Sequence, residues 1–184
     1  PLSPNTDYDA YVRSDCGGNG KSDWSSAVSF TTPCTAKQIS WSDNFDGLAT
    51  GAGNIPDCWD LNNNSGTQIT ASTSRNGILP KSGSHYIWQK WSSNNDIFTP
   101  ALDLNASESY RLSFWYQESN GSAGHEVNVY VGTSTDISSM TNIGTISDPT
   151  DQSWEEFVVD YQAPTTDVYY FAINITSNGS PWYL

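Results

Sequence analysis

The side chains of this chain that could do chemistry are carboxylates, amides and indoles. His85 and His125 are the two imidazoles, and neither lies in a His-Glu-x-x-His pattern. No Gly-x-Ser-x-Gly elbow, phosphate-binding loop or dinucleotide fingerprint occurs. Two carboxylates at a fixed separation would suffice for glycosidic hydrolysis. Glu155 and Glu156, however, are neighbours on an expected strand and so point to opposite faces. Glu108, Glu118 and Glu126 fall at strand ends, on a solvated rim. No catalytic residue is assigned, and the chain reads as a non-enzyme. Asp43, Asn44, Asp46, Asp57 and Asp96 are hard oxygen donors in or near loops. Such residues either hold calcium, which takes six to eight oxygens, or simply shape turns.

Indoles with polar neighbours are the remaining clue. Trp115 shares one strand face with Arg111, Ser113 and Gln117, while Trp88 and Trp91 flank Lys90 beside an Asn-rich stretch. Aromatic rings among amides and hydroxyls suit the faces of sugars, through apolar stacking and hydrogen bonds. They suit packing against another domain equally well. The candidate ligand-binding set is Trp115, Arg111, Gln117, Trp88 and Trp91. Arg111 either receives a carboxylated or sulfated glycan or pairs with a neighbouring Asp. Phe45, Trp59, Phe114 and Phe171 read as core.

The element that must position Trp115 is the stretch Ser109–Gln117. Tyr110, Leu112, Phe114 and Tyr116 share the other parity, so the spacing predicts a half-buried strand within an antiparallel sheet. Trp115 is then either displayed with polar neighbours or covered by another element. Short alternating segments recur along the chain: Tyr8–Arg13, Ala27–Thr31, Ile39–Phe45, Cys58–Leu61, Thr67–Ser72, His85–Trp88, Val127–Val131, Ile143–Ile146, Ser153–Tyr161 and Val168–Ile175. Asp136–Met140 reads as a brief helical turn. Repeated short strands separated by Gly, Asn and Pro signals indicate an all-β sandwich.

The 184 residues carry 7 Lys and Arg against 20 Asp and Glu, a formal charge of −13. That balance repels phosphate backbones and anionic lipid, which argues against nucleic-acid and membrane-surface partners. No apolar run is long enough to span a bilayer, and no signal peptide is visible. The chain starts at Pro1 without Met, as expected of a processed or excised piece. Its three cysteines, Cys16, Cys34 and Cys58, include no Cys-x-x-Cys pair, so they allow at most one internal disulfide and leave one thiol over.

Residues 1–33, with Leu2-Ser-Pro-Asn-Thr-Asp-Tyr-Asp-Ala-Tyr-Val-Arg, Trp24-Ser25 and Val28-Ser-Phe-Thr-Thr-Pro33, resemble the last two strands of a fibronectin type III domain. From Cys34 onward, other motifs carry a second resemblance. They are Asn44-Phe-Asp-Gly47, Ile55-Pro-Asp-Cys-Trp59, Ser82-Gly-Ser-His-Tyr86, Asn95-Asp-Ile-Phe-Thr-Pro-Ala-Leu-Asp-Leu104, Trp154–Asp160 and Asn178–Leu184. Together they resemble the bacterial adhesin-type jelly rolls related to MAM domains, the cleaved-adhesin or choice-of-anchor J group, over residues 34–184. This implies an antiparallel jelly-roll sandwich of MAM-like, concanavalin-like or galactose-binding-like architecture. It also implies a closing strand at Trp182–Leu184 that is incomplete here. Asp46 and Asp96 are the calcium (Ca2+) ligands it points to. A disulfide between Cys34 and Cys58 is expected, closing a loop of about two dozen residues and worth roughly 3 kcal/mol, with the partner of Cys16 outside the chain. The function implied is a non-catalytic module for adhesion or carbohydrate binding in a secreted or cell-surface bacterial protein. Its partners would be a polysaccharide or surface glycan and neighbouring domains of the same polypeptide. A spacer or accessory domain of a secreted protease or glycosidase, and a jelly-roll glycosidase, are the alternatives.

Overall fold

A computed structural model describes residues 1–62, 69–90, 94–118, 126–147, 153–176 and 182–184. The chain divides into two compact units, Pro1–Thr35 and Ala36–Leu184. The first holds an antiparallel hairpin of β1 (Asp7–Ala10) and β2 (Val28–Thr31), with Tyr8 opposite Phe30. Their rings stack at 5.9 Å, and Ser29 and Thr31 donate to Asp9 and Asp7 across the pair. Trp24 lies under the Arg13 guanidinium, 4.3 Å from its ring centre.

The second unit is a two-sheet antiparallel sandwich. Its strands in order are β3 (Gly51–Ala52), β4 (Asp60–Asn62), β5 (Ile69–Ser72), β6 (Tyr86–Gln89), β7 (Asn94–Phe98), β8 (Leu102–Leu104), β9 (Ser109–Glu118), β10 (Glu126–Gly132), β11 (Thr141–Ser147), β12 (Glu155–Gln162), β13 (Asp167–Thr176) and β14 (Trp182–Tyr183). One sheet runs β11-β10-β13-β7-β4, with β8 also on β13; the other runs β12-β9-β14-β6-β5-β3. Period-two alternation explains both inner faces. Val127, Val129 and Val131 of β10 are buried opposite Ile175, Ile173 and Phe171 of β13. In the facing sheet, Phe114 of β9 sits opposite Phe157 of β12, and the rings stack at 5.1 Å. Between the sheets lie two core clusters, one around Ile87, Ile97, Tyr116, Ile173 and Trp182, the other around Leu102, Leu104, Tyr169 and Phe171. Phe45, Trp59 and Phe114 pack on the first and Phe171 belongs to the second, as the sequence led us to expect.

Ile39–Phe45 is not a strand. The Asp43 and Asn44 side chains accept from the backbone N–H groups of Phe45 and Asp46 at 2.9 and 3.1 Å, and Phe45 adopts a φ of 61°. These local side-chain bonds offer the backbone an alternative to a ladder, and here they win over the alternation. Residues 137–139 form the expected short helical turn, capped by Asp136, which accepts from Ser138 N–H at 3.0 Å.

Candidate binding face around Trp115

The register of β9 decides which side chains share the outer surface of its sheet. Arg111, Ser113 and Trp115 face outward, and their β12 partners across the pair are Asp160, Val158 and Glu156. Further along the same face, Gln117 aligns with Tyr183, and Tyr183 aligns with Trp88. The face therefore has two halves. At the β6 end Tyr86, Trp88 and Tyr183 form a third apolar cluster, with Ile78 and Trp154 packed on it. The loop between β5 and β6 lies across this half. Asn76 donates to Tyr183 Oη at 3.3 Å, Trp154 Nε1 donates to the Leu79 carbonyl at 3.1 Å, and the Arg75 guanidinium stacks 4.5 Å from the Trp88 ring. Burial of its hydroxyl in this cluster pushes the Tyr86 pKa up to about 12.

The other half of the face is open. Trp115 is 38% exposed and Val158 is exposed beside it. Lys81, within the same loop, holds its ammonium 4.0 Å from the centre of the Trp115 ring. Arg111 is forked onto Asp160, with Nε to Oδ1 at 2.8 Å and Nη2 to Oδ2 at 3.1 Å. This pairing raises the guanidinium pKa and holds the Asp160 carboxyl below its usual range. The ion pair is solvent-exposed, so it orients the two groups more than it stabilises the fold. The result is an indole platform flanked by a hydroxyl, a guanidinium–carboxylate pair, a carboxylate and an ammonium. That combination can stack against an apolar ring face while exchanging hydrogen bonds with hydroxyls around its edge.

Of the residues singled out in the sequence, Trp115 and Arg111 share this open half. Gln117 and Trp88 do not. They are 6% and 7% exposed, Trp88 lying beneath the Arg75 guanidinium of the β5–β6 loop, and neither presents a surface to a ligand. Trp91 lies outside the described residues. Lys81, Glu156 and Val158 were missed. The β12 pair could have been found from its parity, since Phe157, Val159 and Tyr161 claim the inner face and force Glu156, Val158 and Asp160 outward. Lys81 carries no such signal, because a loop brings it there.

Asp46 and Asp96 occupy separate settings. Asp46 Oδ1 accepts from both the backbone N–H and the hydroxyl of Ser84, at 2.5 and 2.8 Å, while Asn44 donates to Oδ2 at 2.9 Å. These bonds from Ser84, with help from His85, hold its carboxyl below the usual range. Asp46 is thus the clamp that pins the far end of the Lys81-bearing loop. Asp96 instead sits in a row that crosses the outer face of the other sheet in register: Asn62, Asp96, Asn174, Asn128, Thr145. Asn174 donates to Asp96 Oδ1 at 2.6 Å, and Thr145 donates to Asn128 Oδ1 at 2.6 Å. Burial pushes the Asp96 carboxyl up, against the opposing effect of the Asn174 bond. Among the described residues no group of three or more His, Cys, Asp or Glu could hold a metal ion. Glu155 accepts from Tyr116 Oη at 2.5 Å while Glu156 faces outward, so the two acids diverge as alternation requires. Cys34 and Cys58 are disulfide-bonded and Cys16 is a free, exposed thiol.

No protein-family model matches the chain, and no curated protein matches it. Solved structures do. The K3 cleaved adhesin domain of Lys-gingipain from Porphyromonas gingivalis superposes with a TM-score of 0.58 at 15% identity, over 78% of this chain and 94% of that one. The K2 cleaved adhesin domain of Lys-gingipain gives 0.55 at 14% identity, over 78% and 98%. The carbohydrate-binding module TmCBM61, solved with β-1,4-galactotriose, gives 0.54 at 9% identity, over 69% and 83%. The chain therefore shares the jelly-roll β-sandwich fold of these adhesin and carbohydrate-binding domains. Among the described residues no helix is long and apolar enough to cross a membrane.

Proposed function

We propose that this chain is a non-catalytic, extracellular carbohydrate-binding or adhesion module of a secreted or cell-surface protein. Its ligand is a polysaccharide or surface glycan, taken on the open half of the β12–β9 face. One observation carries this reading: the half-open indole of Trp115 lies in the same plane of the sheet as Ser113, the Arg111–Asp160 pair and Glu156. Proteins of this fold include one solved with a galactose oligomer and others titled as adhesin domains, which supports the same class of task. The outward Glu156 lies next to the inward Glu155, and Asp160 is occupied by Arg111, so the acids of this face serve recognition rather than hydrolysis.

A glycan array probed with the whole chain tests the reading. A sugar hit is expected, and Trp115→Ala should weaken it at least about 30-fold, as loss of a central aromatic contact does. The same substitution should leave Tm within about 5 °C, because the ring is already partly in water. A silent array would reduce the module to a spacer. Unchanged binding by Trp115→Ala would move the site elsewhere, and hydrolysis of a hit would make the protein a glycosidase.

A further inference from the structure

The Trp115 ring already carries an occupant. The Lys81 ammonium stands 4.0 Å from the ring centre, and atoms in contact lie about 3.5–4.0 Å apart. It therefore fills the layer that a sugar would take in stacking on that side of the indole, and the two exclude one another. Nothing else holds this side chain. Lys81 is exposed, and the ion pairs among the described residues are Lys21–Asp15 and Arg111–Asp160. Its backbone, by contrast, is fixed on either side, through Ile78 in the Tyr86–Trp88–Tyr183 cluster and through Ser84 on Asp46. The flexible four-carbon stem can swing while the Cα stays in place.

The charges around the ring are unevenly placed. Asp160 is engaged by Arg111, Asp46 by Ser84, and Asp43 by the Phe45 N–H and Trp59 Nε1. Glu156 is left, directly across from Trp115 on β12. Lys81 reaches the ring from the other side of β9, since its loop leads into β6 and the sheet runs β12-β9-β14-β6. The indole thus has a carboxylate on one flank and an ammonium arriving from the other. Arg111, the cation of this face that the sequence pointed to, is already neutralised by Asp160.

We propose that Lys81 is a latch on the Trp115 platform and selects glycans that carry a carboxylate or a sulfate. An uncharged sugar has to displace the ammonium from the ring and offers it no counter-charge. A cation over an exposed aromatic ring is worth a factor of about two to five in binding, which the neutral ligand forfeits. An acidic substituent on the Lys81 flank draws the ammonium off the ring and pairs with it. The latch then opens, and the same cation holds the ligand. On the opposite flank Glu156 repels an acid and accepts from hydroxyls, so it sets the ligand's orientation. This inference rests on the glycan reading and names the class of glycan within it.

The test uses the 184-residue chain and an array of matched oligosaccharides, each hexose oligomer set beside the hexuronate and the sulfated oligomer of the same linkage. The parent should favour the acidic members. Lys81→Ala should bind the neutral members about two to five times more tightly and the acidic ones about 1.5 to 5 times more weakly. The acid-to-neutral preference then falls about 3- to 25-fold. Lys81→Arg, which also stacks and pairs as a cation, should keep the preference. In about 1 M salt the parent should lose it as well, while Lys81→Ala should barely respond. By NMR, the Lys81 methylene protons beside the ammonium should be shielded by the indole in the free chain and move downfield when an acidic hit is added. If Trp115→Ala abolishes binding but Lys81→Ala leaves the preference unchanged, the latch is overturned and the glycan face stands. Equal weakening of both classes by Lys81→Ala would make Lys81 an ordinary contact and overturn the latch too. An array silent for the parent and for Lys81→Ala alike would overturn the glycan reading, and the latch with it.

Discussion

Gly144 is the place where a single added carbon should report on how the two sheets meet. It lies on β11, opposite Val129 in the ladder, and a Cβ there would stand 2.6 Å from Phe157 Cζ and 3.2 Å from Cε2. Carbon atoms in contact prefer 3.5–4.0 Å, so in Gly144→Ala the ring must withdraw by about 1 Å. Phe157 cannot withdraw freely, because it is stacked on Phe114 at 5.1 Å, and Phe114 meets Tyr116 edge-on. Overpacking of this kind costs about 1–3 kcal/mol, and loosening the ring pair costs about 0.5–1.5 kcal/mol more. The reduced freedom of Ala in the unfolded chain returns about 0.4–1 kcal/mol. The net loss spans about 0.5–4 kcal/mol and centres near 2 kcal/mol, a fall in Tm of about 4–8 °C at that centre for a chain of this length. Scanning calorimetry at neutral pH measures it. If the ring clash is the cause, Phe157→Leu in the same chain should recover part of the loss, giving a favourable coupling in a double-mutant cycle. A single variant melting within 2 °C of the parent, or a strictly additive double variant, would refute the reasoning.

Two further outcomes follow from the two aspartates. Gly83 has a φ of 66°, and a Cβ there would sit 2.5 Å from the Asp46 carboxylate oxygens, so Gly83→Ala should break the clamp between Asp46 and Ser84. Because the folded-state pKa of Asp46 lies below its ordinary value, the clamp contributes fully above the unfolded pKa and is lost as pH falls through the folded one. From about pH 4 downward, Tm of the parent should therefore drop more steeply than Tm of the variant; parallel curves in acid melts would count against the clamp. Asp96 has the opposite sign, since burial raises its folded-state pKa, and its charge becomes a cost as pH rises through that range. Asp96→Asn keeps an acceptor for Asn174 and removes the charge, so its Tm at pH 7 should equal or exceed that of the parent by a few degrees, with excess chelator changing neither. A drop in both experiments would instead point to calcium at this position.

What was legible in the sequence was what alternation alone determines. The two faces of β9 could be separated because Tyr110, Leu112, Phe114 and Tyr116 fall on one parity, and the structure puts them on the core side. The divergence of Glu155 and Glu156 followed from the same rule. Alternation fails at Ile39–Phe45, where Asp and Asn side chains bond the adjacent backbone and replace the strand with turns. It also says nothing about what lies over a face. Gln117 has the parity of Trp115 and the opposite fate, 6% exposed against 38%.

The β5–β6 loop is what sets the proposed site apart from the rest of the outward-facing parity. Ile78 packs it onto the Tyr86–Trp88–Tyr183 cluster, and Asp46 pins its far end at Ser84. Lys81, strung between these two anchors, is delivered over the Trp115 ring. Asp46 is 38 positions from Ser84 and Tyr183 lies more than a hundred from Ile78, so no local pattern encodes the outcome. The hydrogen bonds of Asp46 therefore help to set the proposed binding face even though the residue lies outside it. A sheet face is sorted by neighbours two residues apart, while a binding site on it is cut out by whatever the fold lays across the rest.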